Sequence, residues 1–255
     1  MDLVQLSYLF FASVIAGALN SVAGGGSFFT FPALIFAGVP PINANATNSV
    51  VVWPGGVASL VAYRKDIGSK HKTFIFFLSV ASLIGGSIGA LLLIFTPQKL
   101  FTELIPYLLL LATVLFTFNK YIVGFLSKHT FLKSSEGHLP TTSASVIQFL
   151  ISIYGGYFGG GMGIMMLSAF RFFAIKDIHF ANGLKVLFAV LINAIAVAIF
   201  IFAGIVDWKF APLMALGAII GGYGGVMIAK KISQKLIYYF ISFVGFSLTL
   251  YFFIK

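Results

Sequence analysis

The chain contains no cysteine. Disulfides, thiolate metal sites and thiol nucleophiles are excluded, and cysteine usage says nothing about redox compartment. Charge is also scarce: Asp, Glu, Lys and Arg make up 9% of 255 residues, against about 25% in soluble domains. No carboxylate lies deep in an apolar run: Asp66, Glu103, Asp177 and Asp207 fall at ends or in loops. The buried acid that usually relays protons in a membrane is therefore missing. No GxxxxGK[ST] occurs, so ATP is not the direct energy source. No HExxH or other dense metal-ligand cluster occurs, and no Ser/His/Asp set lies at membrane depth.

Apolar residues fill the space that charge leaves. They make up 60% of the chain, with a mean hydropathy of +1.05. The runs are long and unbroken, whereas an outer-membrane barrel shows alternating segments of about 10 residues. The fold expected is an all-α polytopic membrane protein. The net charge of +10 reads as basic loops that hold topology rather than as a nucleic-acid surface. Met1–Val22 lacks a basic n-region and reads as a retained helix.

Two glycine runs interrupt this apolar background: Ala23-Gly24-Gly25-Gly26-Ser27 and Gly159-Gly160-Gly161-Met162-Gly163. Glycine costs a helix interior about 1 kcal/mol relative to alanine, so these runs should break helices. Non-helical backbone at membrane depth must be covered by protein or line a cavity. The expectation is that the two breaks face each other and form the working site. The competing reading is that the glycines only allow close helix packing.

In order, the pattern predicts helices at Leu3–Val22, Ala44–Tyr63, Thr73–Phe95, Leu104–Asn119, Thr141–Phe158, Ala181–Ala203, Phe210–Ala229 and Leu236–Ile254. Shorter pieces are expected at Ser27–Gly38 and Ile164–Ala174, too short to span where a span needs about 20 residues. Val39-Pro40-Pro41 and Thr96–Glu103 read as turns, and Tyr121–Leu126 as a short interfacial helix. The segment 120–140 reads as a cytoplasmic linker between two transmembrane repeats, 1–119 and 141–255.

Sliding the chain on itself by 136 residues aligns Gly24–Gly89 with Gly160–Gly225 without a gap, pairing six glycines. Basic residues then swap sides between the halves. Arg64, Lys65, Lys70 and Lys72 after the third helix face only Lys209 in the second half. Lys99 faces Lys230, Lys231 and Lys235. Basic excess marks the cytoplasmic side, so the halves read as inverted-topology repeats with both termini outside. This requires an odd number of crossings per half. Five crossings satisfy it, and so do three spans plus a re-entrant hairpin.

Inverted repeats with broken helices recur in secondary transporters, which bind substrate near the midplane. A restarting helix presents free N–H groups and the positive end of its dipole, which attract anions. Asn20, Ser21 and Ser27 cluster at the first break. Lys185, in NGLKVLFAV, is the one strongly charged residue well inside an apolar run. It reads as an anion ligand or counter-ion, or as a side chain snorkelling to the interface. Its repeat partner is Ser49, beside Thr47 and Asn48, while Asn182 and Gly183 precede it. Asn193 reads as a helix–helix amide, Arg171 as a surface anchor, and His71, His129, His138 and His179 as surface residues.

AGALNSVAGGGSFFTFPALIFAGVPPINANATNSV resembles the first signature of the TauE/SafE sulfite-exporter family. YGGYFGGGMGIMML followed by NGLKVLFAVLINAIAVAIFIFAGIVDW is similar to its second. The resemblance implies a bacterial inner-membrane permease for small anions, especially sulfite, organosulfonates or related sulfur oxyanions. Carried over by position, it marks Gly24, Gly25, Gly26, Thr47, Asn48, Gly159, Gly160, Gly161, Gly163 and Lys185. This chain departs from it with Asn20 and Gly155 where an acid is usual, and with Ser49 where Lys is frequent. The function expected is transport by alternating access at the repeat interface, with no cofactor, and with a small anion and the bilayer as partners. Self-association is left open, and a membrane scaffold that transports nothing is the competing reading.

Overall fold

A computed structural model describes residues 3–22, 25–68, 71–118, 121, 124, 141–173, 175, 177–229 and 234–254. For 21, 22, 62, 171, 172, 225–229 and 234–238 it describes the backbone alone. Among these residues ten helices and no strand form. The first half supplies α1 (Leu3–Val22), α2 (Ser27–Phe36), α3 (Pro41–Ile67), α4 (Lys72–Phe95) and α5 (Gln98–Thr117). The second supplies α6 (Thr141–Tyr157), α7 (Met162–Phe172), α8 (Ile178–Phe202), α9 (Ala211–Ala229) and α10 (Gln234–Ile254). By length and apolarity alone, α1, α4, α5 and α8 are sufficient to cross a membrane.

Several ends differ from the sequence expectation. Pro41 does not close a turn; it is the first residue of α3, where a missing N–H costs nothing because that group has no helical partner. At its other end α3 runs on through Arg64-Lys65-Asp66, which reads as loop in the sequence. The polar stretch Gln98–Glu103 is the first turn and a half of α5, entered from Pro97, with Lys99, Thr102 and Glu103 exposed. The second short helix restarts at Met162, two residues before the expected Ile164. Of the proposed interfacial helix and the rest of 120–140, only Tyr121 and Gly124 lie within the described residues.

α1 and α2 form an antiparallel pair of unequal length. Gln5 Nε2 donates to Ala37 O at 3.0 Å, and the Tyr8 hydroxyl donates to Ala33 O at 3.2 Å. At the other end Gly26 abuts the Ala16 carbonyl, where a Cβ would come within 2.6 Å. Thus α2 starts level with Ala16, about 9 Å back from the end of α1 at 1.5 Å per residue. It is a half-helix running from mid-depth to the face where α1 begins.

Four registers fix how the halves pack. Between α1 and α9, Ser13 and Phe10 meet Gly217, Val14 meets Gly221, and Gly17 meets Ala218, so these helices run parallel. Between α4 and α6, Gly85 meets Phe149 and Ser152, and Gly89 meets Ile153 and Tyr157, again parallel. In contrast, α3 crosses α8 antiparallel: Trp53 Nε1 donates to Val190 O at 3.3 Å while Ile67 meets Gly183. α5 crosses α10 antiparallel, with Thr117 donating to Ser242 Oγ at 2.9 Å and Tyr107 stacked edge-on against Phe253. The α1–α9 and α4–α6 contacts are closest: a Cβ on Gly221 would overlap the Val14 carbonyl, and one on Gly89 the Ile153 carbonyl. Small residues let membrane helices approach until their backbones touch, which is how packing is driven where lipid is as apolar as leucine.

These registers define two ends of the bundle. The termini face carries the starts of α1 and α3 and the ends of α8 and α10, tied by Gln5 to Ala37 and by the Phe36–Phe252 stack. The linker face carries the end of α3 and the start of α8, where the His71 and Phe180 rings lie 5.7 Å apart.

Candidate functional site

At the first break the chain reverses through Gly25, whose φ of +94° suits glycine alone. Gly26 is the N-cap of α2 and offers no side chain. The Phe28 and Phe29 N–H groups bond back to Gly25 O and Gly26 O, both at 3.0 Å. Among the described residues the Gly26 and Ser27 N–H groups donate to nothing. Asn48 on α3 braces this helix start from the side. Its Nδ2 donates to Ser27 Oγ at 3.2 Å, and its Oδ1 accepts from the Thr30 hydroxyl.

The second break uses two residues of positive φ, Gly159 at +78° and Gly161 at +76°. Tyr154 pins the loop, its hydroxyl donating to Gly160 O at 2.6 Å. Met162 N–H bonds to Gly159 O at 3.3 Å and Ile164 N–H to Gly161 O at 3.0 Å. The Gly160, Gly161 and Gly163 N–H groups donate to nothing among the described residues. Gly163, the second residue of α7, is covered by Lys185 of α8: a Cβ there would lie 3.2 Å from Lys185 Cδ and 3.5 Å from Cγ. Lys185 is half-buried and makes no ion pair or hydrogen bond among the described residues.

The two breaks occupy related places but carry different chemistry. Ser27 corresponds to Gly163 and Ser49 to Lys185 across the repeat. Ser49 is buried and donates to Asn45 O of its own helix at 3.1 Å. So the α2 start is filled by neutral hydroxyl and amide groups, and the α7 start by a cation's stem. Between the breaks the contact is aromatic: Phe31 of α2 meets Phe158 edge-on at 5.5 Å. Gly25 lies against Ile241 of α10, and Gly161 against Ala112 of α5.

The remaining candidates divide into those near the breaks and those engaged elsewhere. Asn20 is exposed, yet its Cβ stands 3.2 Å from where a Gly26 Cβ would be. Asn182 is half-buried on the first turns of α8. Thr47 is fully buried and turned away from the breaks, its hydroxyl accepting from Asp207 N–H at 2.9 Å. Gly24 and the side chain of Ser21 lie outside the described residues, as does the side chain of Arg171. Asn193 bonds within its own helix, to Ala189 O at 2.9 Å, and among the described residues not across to a neighbour. Sequence reading missed Asn43 and Asn45, whose amides tie α3 to the second half at Ile205 O and Tyr157 O. The signal available was the density of polar residues in Asn43-Ala44-Asn45-Ala46-Thr47-Asn48, unusual for an apolar helix.

Comparison with known proteins matches this arrangement to one family over nearly its whole length. The family described as "Sulfite exporter TauE/SafE" matches residues 9–252. A Sinorhizobium protein named "Probable membrane transporter protein ORF9" is 30% identical over 234 residues, covering 91% of this chain and 86% of its own. A Haemophilus influenzae protein named "Probable membrane transporter protein" is 27% identical, covering 96% and 92%. The Escherichia coli K12 protein named "Probable membrane transporter protein YfcA" is 27% identical, covering 91% and 83%. No solved structure matches at a significant level.

Proposed function

The chain belongs to the sulfite exporter TauE/SafE family of membrane transporters, and from that premise we propose that it is a secondary transporter of small anions. Sulfite, organosulfonates and related sulfur oxyanions are the substrate class. The observation that carries this reading is Lys185 stretched across Gly163 at the start of α7, with no partner among the described residues.

The side chain's course supports binding over snorkelling. Lys185 stands on the second turn of α8, about 10 Å in from the linker face. Gly163 lies nine residues before the α7 end at Phe172, about 14 Å in. The lysine stem therefore runs level with or deeper than its own Cα, whereas a snorkelling chain would run outward. There its ammonium group reinforces the free Gly161 and Gly163 N–H groups and the positive end of α7. Donors of this kind replace an oxyanion's hydration without a carboxylate or a metal. The first break adds neutral donors at Gly26 and Ser27, held by Asn48.

The antiparallel crossing of the paired helices α3/α8 and α5/α10 supports an inverted-repeat reading, as does the exchange of α1–α9 with α4–α6. Arg64, Lys65 and Lys72 on the linker face make that face cytoplasmic under the positive-inside rule, in a bacterial inner membrane with both termini outside. The halves rock about the anion, exposing it to each face in turn. Purified protein tests this: sulfite or a sulfonate raises the melting temperature, and the shift disappears in Lys185→Ala. If no sulfur oxyanion moves the melting curve, the scaffold reading replaces this one.

A further inference from the structure

The two ends of the bundle are closed by different means. On the termini face, the loop between α8 and α9 folds over the first turns of α3. Asn43 Nδ2 donates to Ile205 O at 2.9 Å, and one helical turn on, Thr47 Oγ1 accepts from Asp207 N–H at 2.9 Å. On another side of the same helix, Asn45 Nδ2 donates to Tyr157 O, the last residue of α6, at 2.8 Å. Thr47 and Asn45 are buried, at 0% and 1% exposure, so these bonds are not exchanged with water. Val206 and Phe210 of the loop are buried beside them.

On the linker face the corresponding positions of α8 are His179, Ala181 and Gly183. The described contacts of that stretch are Gly183 against Ile67 and the ring pair His71–Phe180, and the hydrogen bonds that join the halves toward this face lie elsewhere, from Thr117 of α5 to Ser242 of α10 at 2.9 Å and from Gln148 of α6 to Ser82 of α4 at 2.9 Å. Toward this side a shallow recess, with room for about one water molecule, lies between α1, α3 and α9. Its lining includes Ala16, Asn20, Gly55, Ser59 and Gly222. Ala16 and Asn20 also wall Gly26, on the far side of which α2 starts. In the second half the places of Gly55 and Ser59 are taken by Leu191 and Ile195. There Gly86 packs directly on Ile192 and Ile195.

We propose that Asn43, Asn45 and Thr47 are the latch of a gate on the termini face. The structure is then the state sealed on that face and recessed toward the linker. Opening releases the 203–210 loop and the α6 end from α3 and exposes the α2 and α7 starts to the termini side. This inference rests on the transport reading, since a scaffold needs no gate.

The absence of native cysteine gives a clean test. Ser27→Cys places one thiol at the α2 start, and a charged, membrane-impermeant methanethiosulfonate is added to vesicles of known orientation from either face. With the latch intact, labelling is faster from the linker face. Asn43→Ala with Thr47→Val raises the rate from the termini face about thirtyfold, the shift in population that loss of two hydrogen bonds at ~1 kcal/mol each would give. Thr47→Ser, which keeps the acceptor, retains the original pattern and guards against a folding defect. Unchanged labelling from the termini face in the double variant overturns the gate, as does an equal rise from both faces. Sulfite flux through the unsubstituted chain is measured separately. Its absence overturns the transport reading, whereas flux with unchanged labelling overturns only the latch.

Discussion

Lys185 occupies the space that a side chain at Gly163 would need: the methylene Cδ lies 3.2 Å from that glycine's ideal Cβ. The glycine is therefore the condition for the lysine to lie along the α7 start. Gly163→Val should push the stem aside and weaken sulfite binding by about tenfold, a cost of ~1.4 kcal/mol. Isothermal titration of the purified variant checks this, with the melting temperature of the anion-free protein as a folding control.

At the first break the corresponding role falls to neutral groups. Asn48→Ala removes the partner of both Ser27 and Thr30. The Thr30 hydroxyl keeps Gly26 O as an acceptor at 3.3 Å, so the loss is that of two hydrogen bonds to the amide, about 1 kcal/mol each. The variant should melt several degrees lower in detergent than the parent, and Asn48→Asp should not restore it, because a carboxylate at this buried position is an unpaired charge.

The close crossing of α1 and α9 is equally exposed to test. Gly221→Ala puts a Cβ onto the Val14 carbonyl, which cannot move without shifting the helix. Overpacking of this kind costs about 1–3 kcal/mol. Three residues on, Gly224 has nothing within 4 Å of its ideal Cβ, so Gly224→Ala on the same helix should leave the melting temperature unchanged or raise it.

The helices, the two glycine breaks and the half-helices they launch were legible in the sequence, because apolar runs and triple glycines act locally. Helix ends were less so. The α5 start at Gln98 reads as a turn since Lys99, Thr102 and Glu103 are polar, yet they are simply the exposed side of a helix. Of the candidate site, Lys185 and the second glycine run were each named from the sequence, with Ser49 as the repeat partner of Lys185, but the contact of Lys185 with Gly163 was not legible because the two stand on different helices. The roles of Asn43, Asn45 and Thr47 were hidden, because their partners lie 162, 112 and 160 residues away in sequence. Thr47 entered as a substrate ligand on resemblance, and its hydroxyl is engaged by the Asp207 N–H instead.

A chain without a deep carboxylate has no evident proton relay, so flux should follow the membrane potential. A potential of 100 mV acts on one charge with about 2.3 kcal/mol, about fifty-fold in concentration at equilibrium. Liposomes loaded with a monovalent sulfonate should release it faster when a potassium gradient with valinomycin makes the interior negative. Insensitivity to the potential, together with dependence on a sodium or proton gradient, would show that a coupling ion is carried.

The most direct measurement is sulfite flux into proteoliposomes carrying the parent chain or Lys185→Gln, at equal protein and under an imposed potential. The account predicts potential-driven flux in the parent and a fall of about tenfold or more in the variant, with both proteins melting at the same temperature. Equal flux through the two would contradict an anion site built on Lys185 and the start of α7.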